Sequence, residues 1–377
     1  MPFDEQNTPT RTEVTKEVQF SPNYTNLYKY FPISSMKPIG INRIGFTYNI
    51  RPESSTPSSD SVALEYDELE TIEAIHSALS SAGYEVELMP LDLDFAQHFK
   101  SKTVDFVFNI AEGLRGESRE SHIPAFLEMH GVPYSGSGVL TQALTLSKSR
   151  TKEILVYYKI PTPKYQLFRT GREKLKSNLA FPLIVKPDSQ GSSAGIINDS
   201  VVHTQSAMYT QIERVIHEFG SPVLVEQFLP GREFTVGILG NDPAITLPII
   251  EVNFDHLPPE FAKIDSYESK WTYDVPGVNA NPLKCPADIP IKLQNQIVKI
   301  ALKTYKALNC FDFCRIDVRV DHLGQPHVLE LNALPGLNPN PEIHSRFPLA
   351  CEVAGLSYND MILTILNIAL KRNRLIP

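Results

Sequence analysis

Arg315-Ile316-Asp317 and Glu330-Leu331-Asn332 decide the fold predicted for this chain and point to its chemistry. Each triplet lies in an apolar run, and Asp321-His322-Leu323-Gly324 between them is rich in turn formers, so the runs are predicted to pair as a hairpin. Strand side chains alternate between two faces, which puts Glu330 and Asn332 on one face with Asp317 opposite them. Two carboxylates and an amide are therefore expected to converge.

Such a trio suits a divalent metal ion. Mg²⁺, like Mn²⁺, accepts hard oxygen ligands and takes its remaining ligands from water and substrate phosphates, so Asp317, Glu330 and Asn332 favour a metal–nucleotide complex. The alternative is an ordinary hairpin whose acids are solvated on its outer face. The remaining motifs of the chain favour the metal site.

Composition bounds the class of protein. With 377 residues and 42% hydrophobic content, the chain is long enough for two or three globular units. The net charge of -8 argues against a nucleic-acid partner. No apolar run is long enough to span a bilayer, and the N-terminus lacks the apolar centre of a secretory signal, so the expected location is the cytoplasm without membrane attachment. The cysteines Cys285, Cys310, Cys314 and Cys351 lack metal-ligand spacing and are predicted to be buried thiols.

Strands and helices alternate after an irregular arm of about 41 residues. This alternation predicts a parallel, helix-covered sheet. Its predicted elements are strands Ile44–Tyr48, Tyr84–Met89 and Val104–Ile110, and helices Leu64–Ala82 and Ile123–His130. A second unit is predicted from helix Thr145–Tyr158, strand Leu183–Val185, helix Ala207–Phe219 and strands Val223–Gln227 and Glu233–Leu239. A third holds a strand near Thr246–Val252, helix Lys292–Leu308, the hairpin and helix Tyr358–Arg372.

A Gly/Ser loop follows the apolar strand of the second unit, reading Lys-Pro-Asp-Ser-Gln-Gly-Ser-Ser-Ala-Gly from Lys186 to Gly195. Its backbone N–H groups could close over phosphate oxygens, with Lys186 supplying positive charge at its base. It does not match the Walker pattern, and alone it would be read as a connector. The lysine and the metal trio favour a phosphate-binding loop.

Several motifs together resemble the D-alanine–D-alanine ligases of the ATP-grasp superfamily over residues 42 to 372. They occur in the order that this family has. They are Pro133 to Gly138, Ala143 to Lys152, Ile184 to Pro187 with the loop to Gly195, Glu233 to Val236, Arg315 to Asp317 and Glu330 to Leu337.

The resemblance implies an α/β fold of the ATP-grasp type and an enzyme of peptidoglycan synthesis. The implied division is an arm at 1–41, a Rossmann-like unit at 42–142, a central unit at 143–239 and a C-terminal unit at 240–377 with the metal site. ATP would lie between the last two units, and a homodimer is expected. The implied reaction joins two amino acids through an acyl phosphate, releasing ADP and phosphate.

The resemblance also implies roles for individual residues. Lys148 and Lys186 would contact the α- and β-phosphates, and Lys270 the γ-phosphate. The loop residues Gln190, Gly191, Ser192, Ser193 and Gly195 would close over the triphosphate. Glu226, Gln227 and Leu229 would contact adenine, and Glu233 would contact the ribose. The magnesium ion would be bound by Asp317, Glu330 and Asn332. Arg315 and the N–H of Gly336 would stabilise the intermediate, and Ser192 would connect the loop to the substrate side.

The substrate side departs from the family. Trp271 stands where a tyrosine is expected, and Glu65, Asp67 and Glu68 are the candidates for the glutamate that holds the first ammonium. After Leu337 the chain offers Asn338 to Glu342 in place of a serine and a leucine. These departures leave two alternatives open: an amino-acid or dipeptide ligase of specialised metabolism, and an ATP-binding regulator without ligation. The lysines and the metal trio argue against the regulator.

Overall fold

The computed structural model describes residues 27–31, 40–52, 62–100, 103–220, 222–273, 282–343 and 345–376. Within them the chain forms three β-sheets, one parallel and two antiparallel. Most of the predicted arm lies outside the described residues. Its short 3-10 turn Leu27–Lys29 is described, and Leu27 is buried in the core of the molecule.

The parallel sheet has the order β2-β1-β3, from β1 (Arg43–Tyr48), β2 (Glu85–Pro90) and β3 (Phe106–Asn109). Its helices are α1 (Leu69–Ser81), α2 (Phe95–His98) and α3 (His122–His130). The predicted alternation is confirmed, but the predicted start of the first helix at Leu64 is wrong. Asp67 instead forms a parallel bridge with Ile50, and its backbone exchanges hydrogen bonds with Asn49 and Arg51. This bridge beyond the end of β1 occupies the backbone of Asp67, so the helix begins only at Leu69.

The predicted helix Thr145–Tyr158 is two helices, α4 (Val139–Leu146) and α5 (Lys148–Tyr157). Ser147 separates them because its backbone is extended, with ψ of 106°. Its hydroxyl caps α5 by accepting a hydrogen bond from the Arg150 N–H and donates one to Asp188. The break makes Lys148 the first residue of α5, beside the Gly/Ser loop.

The second sheet has the order β4-β7-β5-β6 and packs against α6 (Gln205–Phe219). Its strands are β4 (Tyr165–Phe168), β5 (Leu183–Pro187), β6 (Val201–Val202) and β7 (Val223–Gln227).

The third sheet has the order β11-β10-β8-β12-β13, with β9 paired to β8. Its strands are β8 (Glu233–Leu239), β9 (Ile245–Thr246), β10 (Ile250–Val252), β11 (Leu283–Lys284), β12 (Phe313–Val320) and β13 (Pro326–Asn332). Helices α7 (Ile291–Ala307), α8 (Arg346–Val353) and α9 (Tyr358–Arg372) complete it.

Sheet membership changes one predicted boundary. The sequence division assigned β8 to the central unit, whereas all its strand partners lie in the third sheet. We propose that the boundary lies in the short link between β7 and β8, because no described strand of the second sheet pairs with β8. The first boundary, at 142/143, falls within α4.

The predicted hairpin is confirmed. Asp317 of β12 lies directly opposite Glu330 of β13, and Arg315 lies opposite Asn332. Asp321 closes the turn: its N–H donates to Gln325 O at 2.9 Å, and its carboxylate accepts from Leu323 N and Gln325 N. The register of the trio is thus fixed by backbone pairing.

The described helices offer no single segment that is both long and apolar enough to cross a membrane; α8 and α9 meet the length and composition criteria only as a pair bent by 99°. The four cysteines are free thiols. Three are buried as predicted, and Cys285 is half-buried.

Asp312 ties the first and third sheets together. Its buried carboxylate accepts hydrogen bonds from the Gly136 N–H at 2.8 Å, from Asn241 at 2.9 Å and from Arg372 of α9 at 2.8 Å. Arg372 also donates to the carbonyl of Tyr134 at 2.8 Å. One carboxylate thereby joins the loop before α4, the third sheet and the last helix.

We predict that Asp312→Ala lowers the free energy of unfolding by about 3 kcal/mol, because it leaves the Arg372 guanidinium and a buried N–H without their acceptor. Urea unfolding of the full chain measures this change. Asp288→Ala is the control, since this aspartate is 86% exposed and its pairing with Lys284 contributes less than about 1 kcal/mol. Equal effects of the two substitutions would contradict the role given to Asp312.

Candidate active site

Two adjoining cavities lie where the second and third sheets face each other. The smaller, of about 80 Å³, is lined by residues of β5, β7, β8, β12 and β13. The larger, of about 250 Å³, is lined also by residues of the first unit. Five residues line both: Lys148, Gln190, Gly191, Ser192 and Glu330. A molecule in one cavity would therefore meet a molecule in the other at Lys148 and Glu330.

The hairpin brings the three predicted metal ligands together at this meeting point. Asp317 is buried and accepts hydrogen bonds from Asn332 Nδ2 and from Arg315 Nη2, each at 3.1 Å, and from the hydroxyl of Thr235. Glu330 lies 3.3 Å from the Lys148 ammonium. The donor set consists of two carboxylates and one amide, without sulfur or imidazole, which fits Mg²⁺.

Glu330 is held in its charged form. Burial alone would raise the pKa of its carboxyl, but the positive charges of Lys148, Lys186 and Arg315 outweigh burial and lower this pKa to about 2. The side chain is therefore an anion throughout the physiological pH range. It can serve as a metal ligand without first losing a proton.

Glu226, which is predicted to contact adenine, also forms ion pairs that the sequence did not predict. It lines the smaller cavity with Gln227 and Leu229, but its carboxylate is tied to two lysines. Oε1 lies 2.5 Å from Lys186 Nζ, and Oε2 lies 2.8 Å from Lys152 Nζ. Two ammonium groups on one carboxylate leave one net positive charge at the base of the loop, where phosphates are expected.

Lys152 was missed by the sequence analysis, although a signal was available. It follows Lys148 by four residues in α5, and this spacing places both ammonium groups on one face of the helix. Burial lowers the pKa of Lys152, opposed by the charge of Glu226. The side chain is fully buried and also donates to Thr162 Oγ1 at 3.0 Å and Leu329 O at 3.1 Å.

Glu233, predicted to meet the ribose, is paired within the smaller cavity. Its Oε2 accepts a hydrogen bond from Arg319 Nη1 at 2.7 Å, and both side chains are buried. The Arg319 guanidinium lies over the rings of Phe228 and Phe254, at 5.2 and 5.7 Å. Arg319 was also missed, because its pairing joins β12 to β8 across a long stretch of sequence.

The Gly/Ser loop passes between the two cavities with an unusual backbone. Ser192 and Ser193 have φ of 48° and 61°, and Gly195 has φ of 77°. A side chain at Gly195 would place its Cβ 2.5 Å from Pro187, so only glycine fits there. The loop is anchored by Lys148, whose ammonium donates to Gln190 O at 2.6 Å, and by the Trp271 indole, which donates to Ser192 O at 3.3 Å.

The larger cavity holds Lys270 with Arg315 and Arg346. Burial lowers the pKa of Lys270 to about 8, and the neighbouring charges of Arg346, Arg315 and Arg51 add to this effect against the opposing charge of Asp265. Arg346 pairs with Asp265 at 2.8 Å. The predicted oxyanion donor Gly336 lines the same cavity.

Five of the six predicted substrate residues line the larger cavity: Glu65, Asp67, Glu68, Trp271 and Asn338. Glu342 is the exception, because it is exposed on the 3-10 turn Pro341–Ile343 and lines neither described cavity. Ser345 and Arg346 line the cavity instead. They stand beyond the turn, so a search limited to the residues directly after Leu337 misses them.

The acids on this side differ in their partners. Glu68 is paired with Arg51 at 3.1 Å and accepts from Asn338 at 3.3 Å. Burial raises the pKa of Asp67 to about 7, with the charge of Arg51 opposing it. Two further acids, Glu112 and Glu120, have carboxylate oxygens within 4.8 Å of Glu65, and burial raises the pKa of Glu120 to about 8. The cavity is thus acidic at one end and basic at the other.

Comparisons with known proteins place this geometry in context. The family described as D-ala D-ala ligase C-terminus matches residues 154–367. The chain is 34% identical to a D-alanine–D-alanine ligase of Pelotomaculum thermopropionicum, over 80% of this chain and 92% of that protein. It is 35% identical to the uncharacterized protein y4sG of Sinorhizobium fredii, over 80% of this chain and 87% of that protein. A crystal structure of D-alanine–D-alanine ligase from Bacillus anthracis complexed with ATP matches with a TM-score of 0.67 and 25% identity, over 89% of this chain and 99% of that one.

The pKa of Lys270 predicts a pH limit. A lysine with a pKa of about 8 is charged below that pH and loses its charge as the pH rises through it. If Lys270 binds a phosphate, kcat/KM for ATP should fall above pH 8, since this quantity reports ionisations of the free enzyme. Lys270→Arg should keep a flat profile to about pH 10, because arginine stays protonated. Identical profiles for both proteins would remove Lys270 from ATP binding.

Proposed function

The chain belongs to the D-alanine–D-alanine ligase family of ATP-grasp enzymes, and we propose that it joins two amino acids, with D-alanine as the first substrate to test in both positions. The predicted α/β ATP-grasp fold is confirmed by the match to the ATP-bound ligase structure. ATP is cleaved to ADP and phosphate in the proposed reaction. The single observation that carries the proposal is the convergence of Lys148, Glu330 and the loop where the two cavities meet.

The proposed reaction must first activate a carboxylate, because a carboxylate is a poor electrophile until one of its oxygens becomes part of a leaving group. The γ-phosphoryl group of ATP would pass to a carboxylate oxygen of the first amino acid, leaving ADP and an acyl phosphate. The neutral amine of the second amino acid would then attack the carbonyl carbon. Collapse of the tetrahedral intermediate would release phosphate and form the amide bond.

The chain's cations fit these steps. Lys148, Lys186 and Lys270 would hold the phosphates and balance their charge as the phosphoryl group moves. Arg315 and the Gly336 N–H would donate to the oxyanion of the tetrahedral intermediate, an interaction worth about 3 kcal/mol per donor. The geometry that supports this assignment is the position of Arg315 and Gly336 in the lining of the same cavity as Lys270.

We propose that Asp317, Glu330 and Asn332 hold magnesium. Bound there with the nucleotide, the ion would supply charge neutralisation to the phosphates. Thr235 and Arg315 orient the Asp317 carboxylate for this role, because each donates a hydrogen bond to one of its two oxygens. The assignment rests on the donor chemistry of the three side chains and their contacts.

A second ligase function, with a substrate other than D-alanine, is favoured by one observation. Asn338 lines the larger cavity in the segment where the family resemblance implies a serine and a leucine, and Trp271 donates to the loop where the resemblance implies a tyrosine. A phosphate-release screen with D- and L-amino acids, singly and in pairs, distinguishes the two by mass spectrometry of the products. A cytoplasmic location, a homodimer and a role in peptidoglycan synthesis follow from the family and stay predictions for this chain.

We predict that the wild-type chain releases phosphate from ATP with D-alanine only in the presence of Mg²⁺ or Mn²⁺, and that chelation stops release reversibly. Asp317→Asn and Glu330→Gln should each lower the rate by more than about 100-fold, because each removes an anionic ligand. Coupled phosphate detection measures the rate, and mass spectrometry identifies the dipeptide.

Glu352→Gln is the matched control, an exposed glutamate of α8 that should leave the rate unchanged. Near-normal rates in both acid variants would remove these residues from the metal site. ATP binding without any product from any amino-acid pair would favour a regulator over an enzyme.

A further inference from the structure

The backbone of the Gly/Ser loop is held from outside at four consecutive residues. Arg119 Nη1 donates to Ser189 O at 3.1 Å, and Lys148 donates to Gln190 O at 2.6 Å. The Gly191 N–H donates to Glu65 Oε1 at 2.6 Å, and the Trp271 indole donates to Ser192 O. Arg119 and Glu65 come from the first unit. The phosphate-binding loop is thereby tied to a different part of the molecule.

Arg119 and Glu65 form one rigid pair. The guanidinium of Arg119 donates through Nε to Glu65 Oε2 at 3.0 Å and through Nη2 to Oε1 at 2.5 Å, a two-pronged contact. The two side chains are only 2% and 5% exposed. Both oxygens of Glu65 are therefore occupied by Arg119, and Oε1 also accepts from the loop.

The fit at Gly191 is close. A Cβ at this position would lie 2.8 Å from Glu65 Oε1, closer than a methyl group can approach. A side chain at residue 191 would therefore force the carboxylate or the loop to shift. The same contact means that any displacement of Glu65 moves an atom of the loop backbone.

We propose that Arg119 is a positioning residue which, through Glu65, holds the Gly/Ser loop closed over the phosphates during the ligation. Glu65 is then a latch for the loop and is not available as the ligand of a substrate ammonium, although the sequence analysis offered it for that role. The effect of the latch on ligation rests on the proposed function, whereas its effect on the position of the loop does not.

The consequence concerns water. An acyl phosphate is hydrolysed if water reaches it before the amine, so a loop that opens early releases phosphate without forming an amide bond. Loss of the latch should therefore change the ratio of phosphate to amide product. ATP binding itself should change little, because neither Arg119 nor Glu65 lines the smaller cavity.

Trp271 provides a direct reporter. It is the single tryptophan of the chain, and its indole donates to the loop at Ser192. Because the latched loop is bonded to the indole at Ser192, we expect it to limit contact between the indole and a soluble quencher such as acrylamide. Arg119→Gln should raise the quenching constant of Trp271 fluorescence about twofold or more, by opening the loop. The dissociation constant of a non-hydrolysable ATP analogue should stay within about threefold of wild type.

Two further variants separate a latch from a folding defect. Gly191→Ala attacks the same contact from the loop side and should raise quenching as Arg119→Gln does. Arg119→Lys should give an intermediate value, because lysine keeps the charge but lacks the planar fork. Arg115→Ala is the matched control, an exposed arginine of the same segment that should quench as wild type. An unchanged far-UV circular dichroism spectrum shows that each variant is folded.

The outcomes are distinct. Wild-type quenching in both Arg119→Gln and Gly191→Ala would overturn the latch. With D-alanine, the ratio of phosphate to dipeptide should rise from about one to about five or more in Arg119→Gln, and an unchanged ratio would also overturn it. If wild type forms no amide with any pair while the quenching differences persist, the proposed function fails and the latch stands.

Discussion

The pairing of β12 with β13 is the constraint on which the site depends. Backbone hydrogen bonds set Asp317 opposite Glu330 and Arg315 opposite Asn332, so two anions, one cation and one amide are fixed by the register. A slip of β13 by one residue would turn Glu330 and Asn332 to the other face of the sheet, away from Asp317. The same sheet carries Thr235 on β8, which holds Asp317 from the other side. The register therefore fixes the proposed metal ligands and the proposed oxyanion donor together.

The site also depends on a cluster of paired lysines and glutamates with an excess of positive charge. Lys148, Lys186 and Lys152 are buried or nearly so, and each is paired with Glu226 or Glu330. Buried ammonium groups without partners would lose their protons, so the two glutamates keep positive charge available for phosphates. Because three lysines meet two carboxylates, the cluster retains an excess of positive charge. This arrangement suits a highly anionic ligand in a cleft between two sheets.

The sequence predicted local features well and distant pairings poorly. The hairpin, its turn and helix α9 follow from patterns within a few residues, and the structure reproduces them. The hydrogen bonds of Arg119, Lys152 and Arg319 to Glu65, Leu329 and Glu233 were not predicted, because these partners lie 54, 177 and 86 residues away in the sequence. The ion pairs of Glu226 were not predicted for the same reason, since Lys152 lies in a helix and Lys186 in another strand. The break at Ser147 was missed although a local signal was present, because serine is a favoured N-cap residue and its hydroxyl caps α5.

The central claim is that this site turns a carboxylate into an acyl phosphate. Its most direct measurement follows the oxygen atoms of D-alanine labelled with ¹⁸O in the carboxylate. If the γ-phosphoryl group is transferred to that carboxylate, one labelled oxygen per turnover should appear in the released phosphate, because the bond broken in the second step lies between carbon and that oxygen. Formation of the dipeptide with unlabelled phosphate would contradict the account.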